Sequence, residues 1–292
     1  MEHVNPTHDQ HRDHLPLQPY SVLMSLYASE NPAYLRQSLV SMGTQTVPPD
    51  EMVLVFDGPL PSELEEVVDR FAETVPFDVR IVRMPERRGT GAAAAEGMLA
   101  CRNELVARMD SDDIVTYDRM EKTLAAFAEH PELGIVGTQA VEFLGTPACV
   151  TGVVELPQAH DDIVAFSKRR IPFRQPSVTL KRSEALAAGN YDGNFPYFED
   201  YDLFNRMLAN GSKALNLPDI CLFVRTGSSF YGRRGGLDYL SYMAKFRLDQ
   251  YESGYFSLID VACTLVPHAA VCLMPNAMRT WLYNTFLRKA VS

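Results

Sequence analysis

The sequence is short of basic residues, with 27 lysines and arginines against 37 aspartates and glutamates among its 292 residues. The net charge of −10 argues against nucleic acid as the main partner, because phosphate backbones are held chiefly by clustered Lys and Arg. Hydrophobic residues make up 46% of the chain, which excludes disorder of the whole chain and is enough for a large core. This length predicts one large domain, or one domain with a smaller appendage.

Cysteine is also scarce, since the five cysteines are odd in number and contain no C-x-x-C pair. This usage favours neither a zinc site nor a disulfide framework, and it predicts a reducing, cytoplasmic compartment. No G-x-S-x-G, H-E-x-x-H or Walker motif is present, and the first residues have no signal-peptide core. Residues 1–19 contain four of the seven histidines, and we expect a solvated, disordered polar tail rather than a metal-binding tract.

Short apolar runs alternate with helical patterns through the first part of the chain. This alternation predicts right-handed βαβ units and an α/β domain with a mostly parallel sheet covered by helices on both faces. The predicted strands are 20–27, 52–56, 79–84, 104–109, 135–143, 149–156, 175–180 and 220–224. Helices are predicted from Pro32, from Pro61, after Gly91 and over 198–208.

The chain beyond Gly236 is predicted to be helical to its end, with interruptions at Pro267 and Pro275. The segment 258–274 is apolar, but it contains Asp260 and Pro267 and is short for a membrane span. We therefore expect a packed helix, or a helix lying in a membrane interface, rather than a transmembrane helix.

Asp110-Ser111-Asp112-Asp113 is the sharpest chemical feature, because three carboxylates directly follow an apolar strand. Two carboxylates about 4 Å apart repel by roughly 4 kcal/mol at an effective dielectric near 20, so a cation would relieve the cluster. Oxygen ligands favour Mg²⁺ or Mn²⁺, and such a metal ion also binds the phosphates of a substrate. The alternative is an acidic turn that caps the next helix. Tyr27 and Asp57 also follow strand ends, and ligands of parallel sheets bind at that edge, so a shared crevice is expected.

Two motifs resemble signatures of other functions. Asp57-Gly58 at a strand end looks like a phosphatase signature, but the nucleophile position is Val55, which excludes that chemistry. Asp57 is then either a nucleobase contact or a turn cap. Gly89-x-Gly91-x-x-Ala94 matches a dinucleotide-binding pattern, although it follows the third predicted strand rather than the first.

Glu199-Asp200-Tyr201-Asp202 forms a second acidic cluster at the start of a predicted helix. Carboxylates there are stabilised by the helix dipole, or they include a general base that deprotonates an attacking hydroxyl. Arg233 and Arg234 precede two glycines and could close over an anionic leaving group, or could form an ordinary basic linker.

Taken in order, these motifs resemble family 2 glycosyltransferases with the GT-A fold, and in particular the amylovoran, exopolysaccharide and O-antigen branch. The resemblance runs from about Tyr20 to Lys289. The stretches that carry it are 20–27, Glu30-Asn31-Pro32, Ser38-Leu39-x-Ser41, Gln45-Thr46, 53–58, 107–113, Ile135-Val-Gly137, Glu142-Phe143, Pro172-Phe173, Glu199-Asp200-Tyr201, Met207-Leu208 and 233–236.

The resemblance implies an inverting transfer from a nucleotide-diphospho-sugar with the help of Mg²⁺ or Mn²⁺. It implies Asp200 as catalytic base with Glu199 beside it, and Asp112 with Asp110 at the metal. It implies a donor site formed by Ser25, Tyr27, Glu30, Asp57, Arg88, Asp110, Ser111, Arg233 and Arg234. The implied domains are GT-A over 20–230 and a C-terminal helical region over 231–292.

The chain departs from that branch at Arg87 and Ala95, where asparagines are common. It also has Ile171-Pro-Phe-Arg-Gln175 where the branch has Asn-Pro-Phe-Asn-His, which falls on the expected acceptor side. We expect a saccharide or lipid-linked saccharide acceptor, no nucleic acid, peripheral contact of the C-terminal helices with the inner face of the plasma membrane, and a homodimer. The alternatives are a sugar nucleotidyltransferase and, less favoured, a dinucleotide-dependent oxidoreductase.

Overall fold

The computed structural model describes residues 17–227 and 237–273. Its strands are β1 Tyr20–Leu26, β2 Glu51–Phe56, β3 Asp78–Arg83, β4 Leu105–Met109, β5 Ile114–Val115, β6 Leu133–Phe143, β7 Val150–Val154, β8 Thr179–Lys181 and β9 Lys213–Arg225. Its helices are α1 Pro32–Gly43, α2 Ser62–Thr74, α3 Thr90–Ala100, α4 Arg119–Glu129, α5 His160–Ser167, α6 Arg182–Ala187, α7 Glu199–Ala209, α8 Leu237–Glu252 and α9 Leu258–Leu273. The predicted tail up to residue 16 and the interruption at Pro275 lie outside these ranges.

The strands form one sheet in the order β3-β2-β1-β4-β8-β6-β9-β5, and β7 pairs with β6. The expected parallel arrangement is confirmed for β3, β2, β1 and β4. From β8 onward the sheet is mixed, because β8 is antiparallel to both β4 and β6, whereas β6 and β9 run parallel. Helices α1 and α2 pack on one face of this parallel part and α3 packs on the other, as expected for an α/β domain.

The composition of each strand explains its place in the sheet. Every residue of β1, β2 and β4 is buried except half-buried Ser25, which suits central strands covered on both faces. β1 alternates its side chains between two cores: Val22, Met24 and Leu26 face α1, α2 and α4, whereas Leu23 faces α3 and α7. β3, with its exposed residues, closes the edge.

Two expectations of local structure are wrong. Residues 175–180 are not one strand, because Gln175–Ser177 form a 3₁₀ turn and only Thr179–Lys181 pair in the sheet. Helix α9 also continues through Pro267 instead of breaking there. Pro267 is exposed on this helix, which packs against α8 elsewhere along its length.

A third core joins α7 to the pair α8 and α9 through Phe195, Tyr201, Phe246, Phe256 and Val261. In the described parts of the chain, no helix is long and apolar enough to cross a membrane. The proposed domain boundary at residue 230 falls in the gap between the described ranges and stays a prediction.

Candidate active site

Tyr27 and Asp57 follow β1 and β2 and are joined by Arg87. The Arg87 guanidinium lies 5.1 Å from the centre of the Tyr27 ring, and its Nε lies 3.9 Å from Asp57 Oδ2. The backbone N–H of Asp57 donates to Leu26 at 2.8 Å, which ties the two strand ends together. Arg87 therefore belongs to this edge of the site, at a position where the sequence departs from its branch.

The Asp57 carboxylate is buried and organises the loop that leads into α3. It accepts hydrogen bonds from the backbone N–H of Arg88 at 2.6 Å and of Gly89 at 3.0 Å. Gly89 has φ 95°, a conformation that glycine adopts without the steric cost of a Cβ. The Arg88 side chain instead lies 3.9 Å from Glu96, with 56% of it exposed, so only its backbone joins Asp57.

The rest of the predicted donor site is partly placed. Ser25 is half-buried near the end of β1, and its buried hydroxyl oxygen has no hydrogen-bond partner within the described residues. Glu30 is half-buried in the loop after β1, where its N–H donates to the carbonyl of Tyr27 at 3.1 Å. Arg233 and Arg234 lie outside the described residues. The donor-binding roles of these residues stay predictions.

The three carboxylates of the acidic loop after β4 lie in different environments. Asp113 is buried and accepts a hydrogen bond from the backbone N–H of Arg225 at 2.8 Å. Ser111 is also buried, whereas Asp110 and Asp112 are half-buried. Burial, reinforced by Asp112, raises the pKa of Asp110 to about 7. Asp113 thus anchors the loop, whereas the side chains of Asp110 and Asp112 are more exposed.

Arg225, at the end of β9, holds this loop and was not predicted from the sequence. Its guanidinium donates to the carbonyls of Asp112 at 2.8 Å and Gly145 at 3.0 Å, and to Gln37 at 2.7 Å. It also lies between the rings of Tyr34 and Phe143, 4.0 and 4.6 Å from their centres. No motif marks this lone arginine, because its partners are distant in sequence.

The second acidic cluster comes to the same place. Asp200, the second residue of α7, is buried, and the amide of Gln175 lies 3.1 Å from its Oδ2. The other end of that amide lies 2.6 Å from Nη2 of Arg108 in β4. We assign the amide nitrogen to the carboxylate side, since this orientation satisfies both partners. Gln175 therefore links the predicted base to a buried cation.

The charges of the two clusters act on each other. Burial, with Glu199 and Asp110, raises the pKa of Asp200 well above its usual range, and Arg108 opposes this shift. Burial also raises the pKa of Glu199. Burial disfavours the charge of Arg108, but Tyr191, Asp200 and Asp110 outweigh it and raise its pKa. The structure thus unites the predicted base with the acidic loop around one buried arginine.

The two glycines of the dinucleotide-like pattern have local explanations. Gly89 makes the turn, and Gly91 allows the first turn of α3 to approach the segment before α7. A Cβ on Gly91 would lie 2.8 Å from the carbonyl oxygen of Asp192 and 3.1 Å from Glu199 Cβ. The glycine is therefore needed to bring Glu199 against α3, which accounts for the pattern without a dinucleotide.

The carboxylates of the acidic loop fit a divalent cation whose coordination would be completed by the substrate. Within residues 17–227 and 237–273, no three His, Cys, Asp or Glu side chains are placed to hold a metal by themselves. Mg²⁺ commonly takes one or two carboxylates and draws its other ligands from water and phosphate. Asp110 and Asp112 offer such a pair, and burial together with the Asp112 charge raises the pKa of Asp110, an unfavourable charge that a cation would relieve.

Comparison with known proteins identifies the family. The sequence model of glycosyl transferase family 2 matches residues 21–188. An uncharacterized glycosyltransferase of Haemophilus influenzae is 37% identical over 92% of this chain and 99% of its own length. The UDP-Gal:alpha-D-GlcNAc-diphosphoundecaprenol beta-1,3-galactosyltransferase of Escherichia coli is 31% identical over 92% of this chain and 97% of its own. The amylovoran biosynthesis glycosyltransferase AmsE of Erwinia amylovora is 36% identical over 76% and 81%.

Solved structures with the same fold are more distant in sequence. S. aureus TarS 1–349 in complex with UDP-GlcNAc has a TM-score of 0.61 at 14% identity, over 92% of this chain and 71% of that one. The mannosyltransferase PcManGT from Pyrobaculum calidifontis in complex with GDP-Man and Mn²⁺ has a TM-score of 0.59 at 17% identity, over 90% and 83%. At this identity the likeness supports the GT-A fold, which confirms the predicted fold class.

Proposed function

The chain belongs to glycosyl transferase family 2, and from this premise we propose that it transfers a sugar from a nucleotide-diphospho-sugar to an acceptor hydroxyl with inversion, in the assembly of a cell-surface polysaccharide. The observation that carries the proposal is the meeting of Asp200 with the Asp110–Asp113 loop around Arg108. One cluster suits the diphosphate of the donor, and the other suits the acceptor hydroxyl.

On the donor side, the Tyr27 ring and the Arg87 guanidinium would line the nucleoside, and Asp57 would hold the loop beneath it. Asp110 would lie near the ribose, and Asp112 with Asp110 would hold Mg²⁺ or Mn²⁺. The bound cation would act as a Lewis acid that neutralises the departing diphosphate. Arg233 and Arg234 would approach the same phosphates.

On the acceptor side, Asp200 would take the proton from the attacking hydroxyl, and Glu199 would lie beside it. A carboxylate with a raised pKa is a stronger base, and base catalysis is typically worth about 10²–10⁴-fold in rate. The positive charge of Arg108 would favour the ionised form of Asp200 that accepts this proton, because it opposes the rise in the Asp200 pKa. Direct attack by one hydroxyl, with one carboxylate as base, inverts the anomeric configuration.

Identification of the products tests this function. The protein is incubated with nucleotide-sugars and lipid-linked saccharides, with and without Mn²⁺. We expect a nucleoside diphosphate and a glycoside of inverted configuration by NMR. Release of pyrophosphate would instead favour a nucleotidyltransferase, and NAD reduction an oxidoreductase.

Asp200→Asn tests the base. We expect kcat to fall by about 10²–10⁴-fold while calorimetric donor affinity stays nearly unchanged, because the amide keeps the shape but not the basicity. Asp238→Asn, on the exposed face of α8, is the matched control. Wild-type turnover in the Asp200 variant would reject the assignment.

We also propose a cytoplasmic location at the inner face of the plasma membrane, with a lipid-linked acceptor. Helix α9 exposes Leu258, Ile259 and Val266 by 65%, 73% and 67%. An exposed apolar face is one requirement of a helix that lies in a membrane interface. We expect the protein to float with anionic liposomes, and the double variant Leu258→Ser/Ile259→Ser to float less. Val40→Ser is the control, because Val40 is 49% exposed on α1, and this variant should float like the wild type. Complete indifference to lipid would contradict the proposal. The homodimer stays a prediction.

A further inference from the structure

Phe198 has an unusual backbone conformation immediately before the acidic pair. Among the described residues, only Asn190 and Phe198 are non-glycine residues with positive φ, at 61° and 70°. Asn is several-fold enriched in this left-handed region, whereas a bulky aromatic residue there is an outlier. Such conformations persist where the surroundings enforce them, and they cluster at functional sites.

Two aromatic side chains of α8 enforce the conformation of Phe198. Its ring stacks on Phe246 with the centres 5.3 Å apart and the planes 15° apart, and it contacts Tyr239 at 5.3 Å. Phe246 is fully buried, so this platform is fixed within the third core. The carbonyl of Phe198 accepts the hydrogen bond of Asp202 N–H at 2.8 Å, which starts α7.

The helix then divides its residues between α8 and the active site. Tyr201 packs on Phe246 at 4.7 Å, and Asp202 accepts a hydrogen bond from Gln250 at 2.9 Å, so both follow Phe198 onto the face toward α8. Asp200 lies about 100° around the helix from Tyr201 and about 200° from Asp202, and its Oδ2 meets the Gln175 amide on the side away from α8. Packing of one face of α7 against α8 therefore orients the face that carries Asp200 toward the active site.

The active-site side leaves little room for error. Glu199 Cβ lies 3.1 Å from the place a Cβ would occupy on Gly91, and Asp200 must reach the Gln175 amide at 3.1 Å. A small rotation of the first turn of α7 would press Glu199 against Gly91 or separate Asp200 from the Gln175 amide. The direction in which the chain enters α7, set at Phe198, controls that rotation.

We propose that Phe198 is the positioning residue for Glu199 and Asp200, acting through its stack on Phe246, so that α8 sets the geometry of these two carboxyl groups. The proposal rests on the proposed role of Asp200 as base. It gives the C-terminal helices a part in the chemical step, in addition to any contact with a membrane.

Three substitutions separate the ring from the backbone. Phe198→Gly accepts φ 70° without steric cost but removes the ring, Phe198→Ala removes the ring and keeps the steric cost, and Phe198→Tyr keeps the ring. We expect kcat of Phe198→Gly and Phe198→Ala to fall by about 10–100-fold with donor KM nearly unchanged, because a displacement of about 1 Å can cost 10²-fold. Phe198→Tyr should retain kcat. Phe77→Leu, in the Phe71–Phe77 contact, is the control for loss of a ring elsewhere.

A double-mutant cycle with Asp200→Asn identifies the route of the effect. If Phe198 acts through Asp200, then Phe198→Gly should cause no further loss in the Asp200→Asn background. An equal loss in both backgrounds, or wild-type kcat in Phe198→Gly, would overturn the positioning role while leaving Asp200 as base. Wild-type kcat in Asp200→Asn alone would reject the base and the positioning role together.

Thermal unfolding by circular dichroism accompanies each variant. If Phe198→Gly does not fold, Tyr239→Ala removes one of the two supporting rings from a half-buried position and replaces it in the cycle. We expect a smaller fall in kcat that is again absent in the Asp200→Asn background. A fall of equal size in that background would contradict the proposal.

Discussion

The two halves of the sheet present their functional side chains by different routes. In the parallel half, Asp57 and Asp110 come one residue after the ends of β2 and β4, and the sheet itself brings them to one edge. In the mixed half, Asp200 stands near the start of α7, after a left-handed Phe198, and is aimed by packing against α8. The first arrangement follows from strand register, and the second depends on tertiary contacts.

Each half is also held by an arginine from the other. Arg108 of β4, in the parallel half, reaches Asp200 through Gln175. Arg225 of β9, in the mixed half, holds the acidic loop of the parallel half through Asp112 and Asp113. The active site is therefore assembled across the sheet, and removal of either arginine tests how strongly the halves depend on each other.

The largest effect is expected for Arg108→Met. It removes the buried cation that interacts with the charges of Asp200 and Asp110 and donates to Gln175, and leaving a buried charge uncompensated typically costs about 3–5 kcal/mol. We expect the free energy of unfolding to fall by about that much in urea denaturation at pH 7.5, and by less at low pH, where the carboxyls are protonated. Arg70→Met, at an exposed pair with Glu66, is the control. Unchanged stability would show that the charges of the two halves are independent.

A smaller effect is expected for Arg225→Met. It deletes three hydrogen bonds of a charged group, each worth about 1.5–3 kcal/mol before relaxation, while the Asp113 contact to the backbone remains. We expect about 2 kcal/mol of destabilisation and weaker Mn²⁺-dependent donor binding by calorimetry. Arg225→Lys should recover only part of the loss, because Lys lacks the planar fork. Donor binding equal to that of the wild type would contradict the role of Arg225 in holding the acidic loop.

The smallest effect is expected for Asp110→Asn, and its sign depends on pH. The pKa of Asp110 is about 7 against an ordinary 3.8, so its charge destabilises the folded state above pH 7, and this cost vanishes as pH falls toward 3.8. We expect the Tm without divalent cations to rise by about 2–4 °C at pH 8 and to match wild type near pH 4. Asp118→Asn is the control of opposite sign, because Lys122 lowers the pKa of Asp118. A lower Tm at pH 8 for Asp110→Asn would contradict the raised pKa of Asp110.

Helix α7 shows where sequence patterns stop being informative. Its bounds were predicted to within a residue, because Leu203, Phe204, Met207 and Leu208 recur with helical spacing on a buried face. The conformation of Phe198 was not predicted, because an aromatic residue gives no local signal for positive φ. Gln175 was noted only as a departure, and its place between Asp200 and Arg108 depends on a 3₁₀ turn that the pattern assigned to a strand.

The sequence by itself determined the family, the alternation of strands and helices, and the two acidic clusters, because these depend on residue order and on patterns a few residues long. Only the tertiary structure decided that the clusters meet at Arg108, that Arg225 holds the acidic loop, and that Phe198 aims Asp200. These contacts join residues up to 188 positions apart, as for Arg225 and Gln37, and no local pattern records such a distance. They exist because the packed sheet and helices bring distant groups within hydrogen-bonding range.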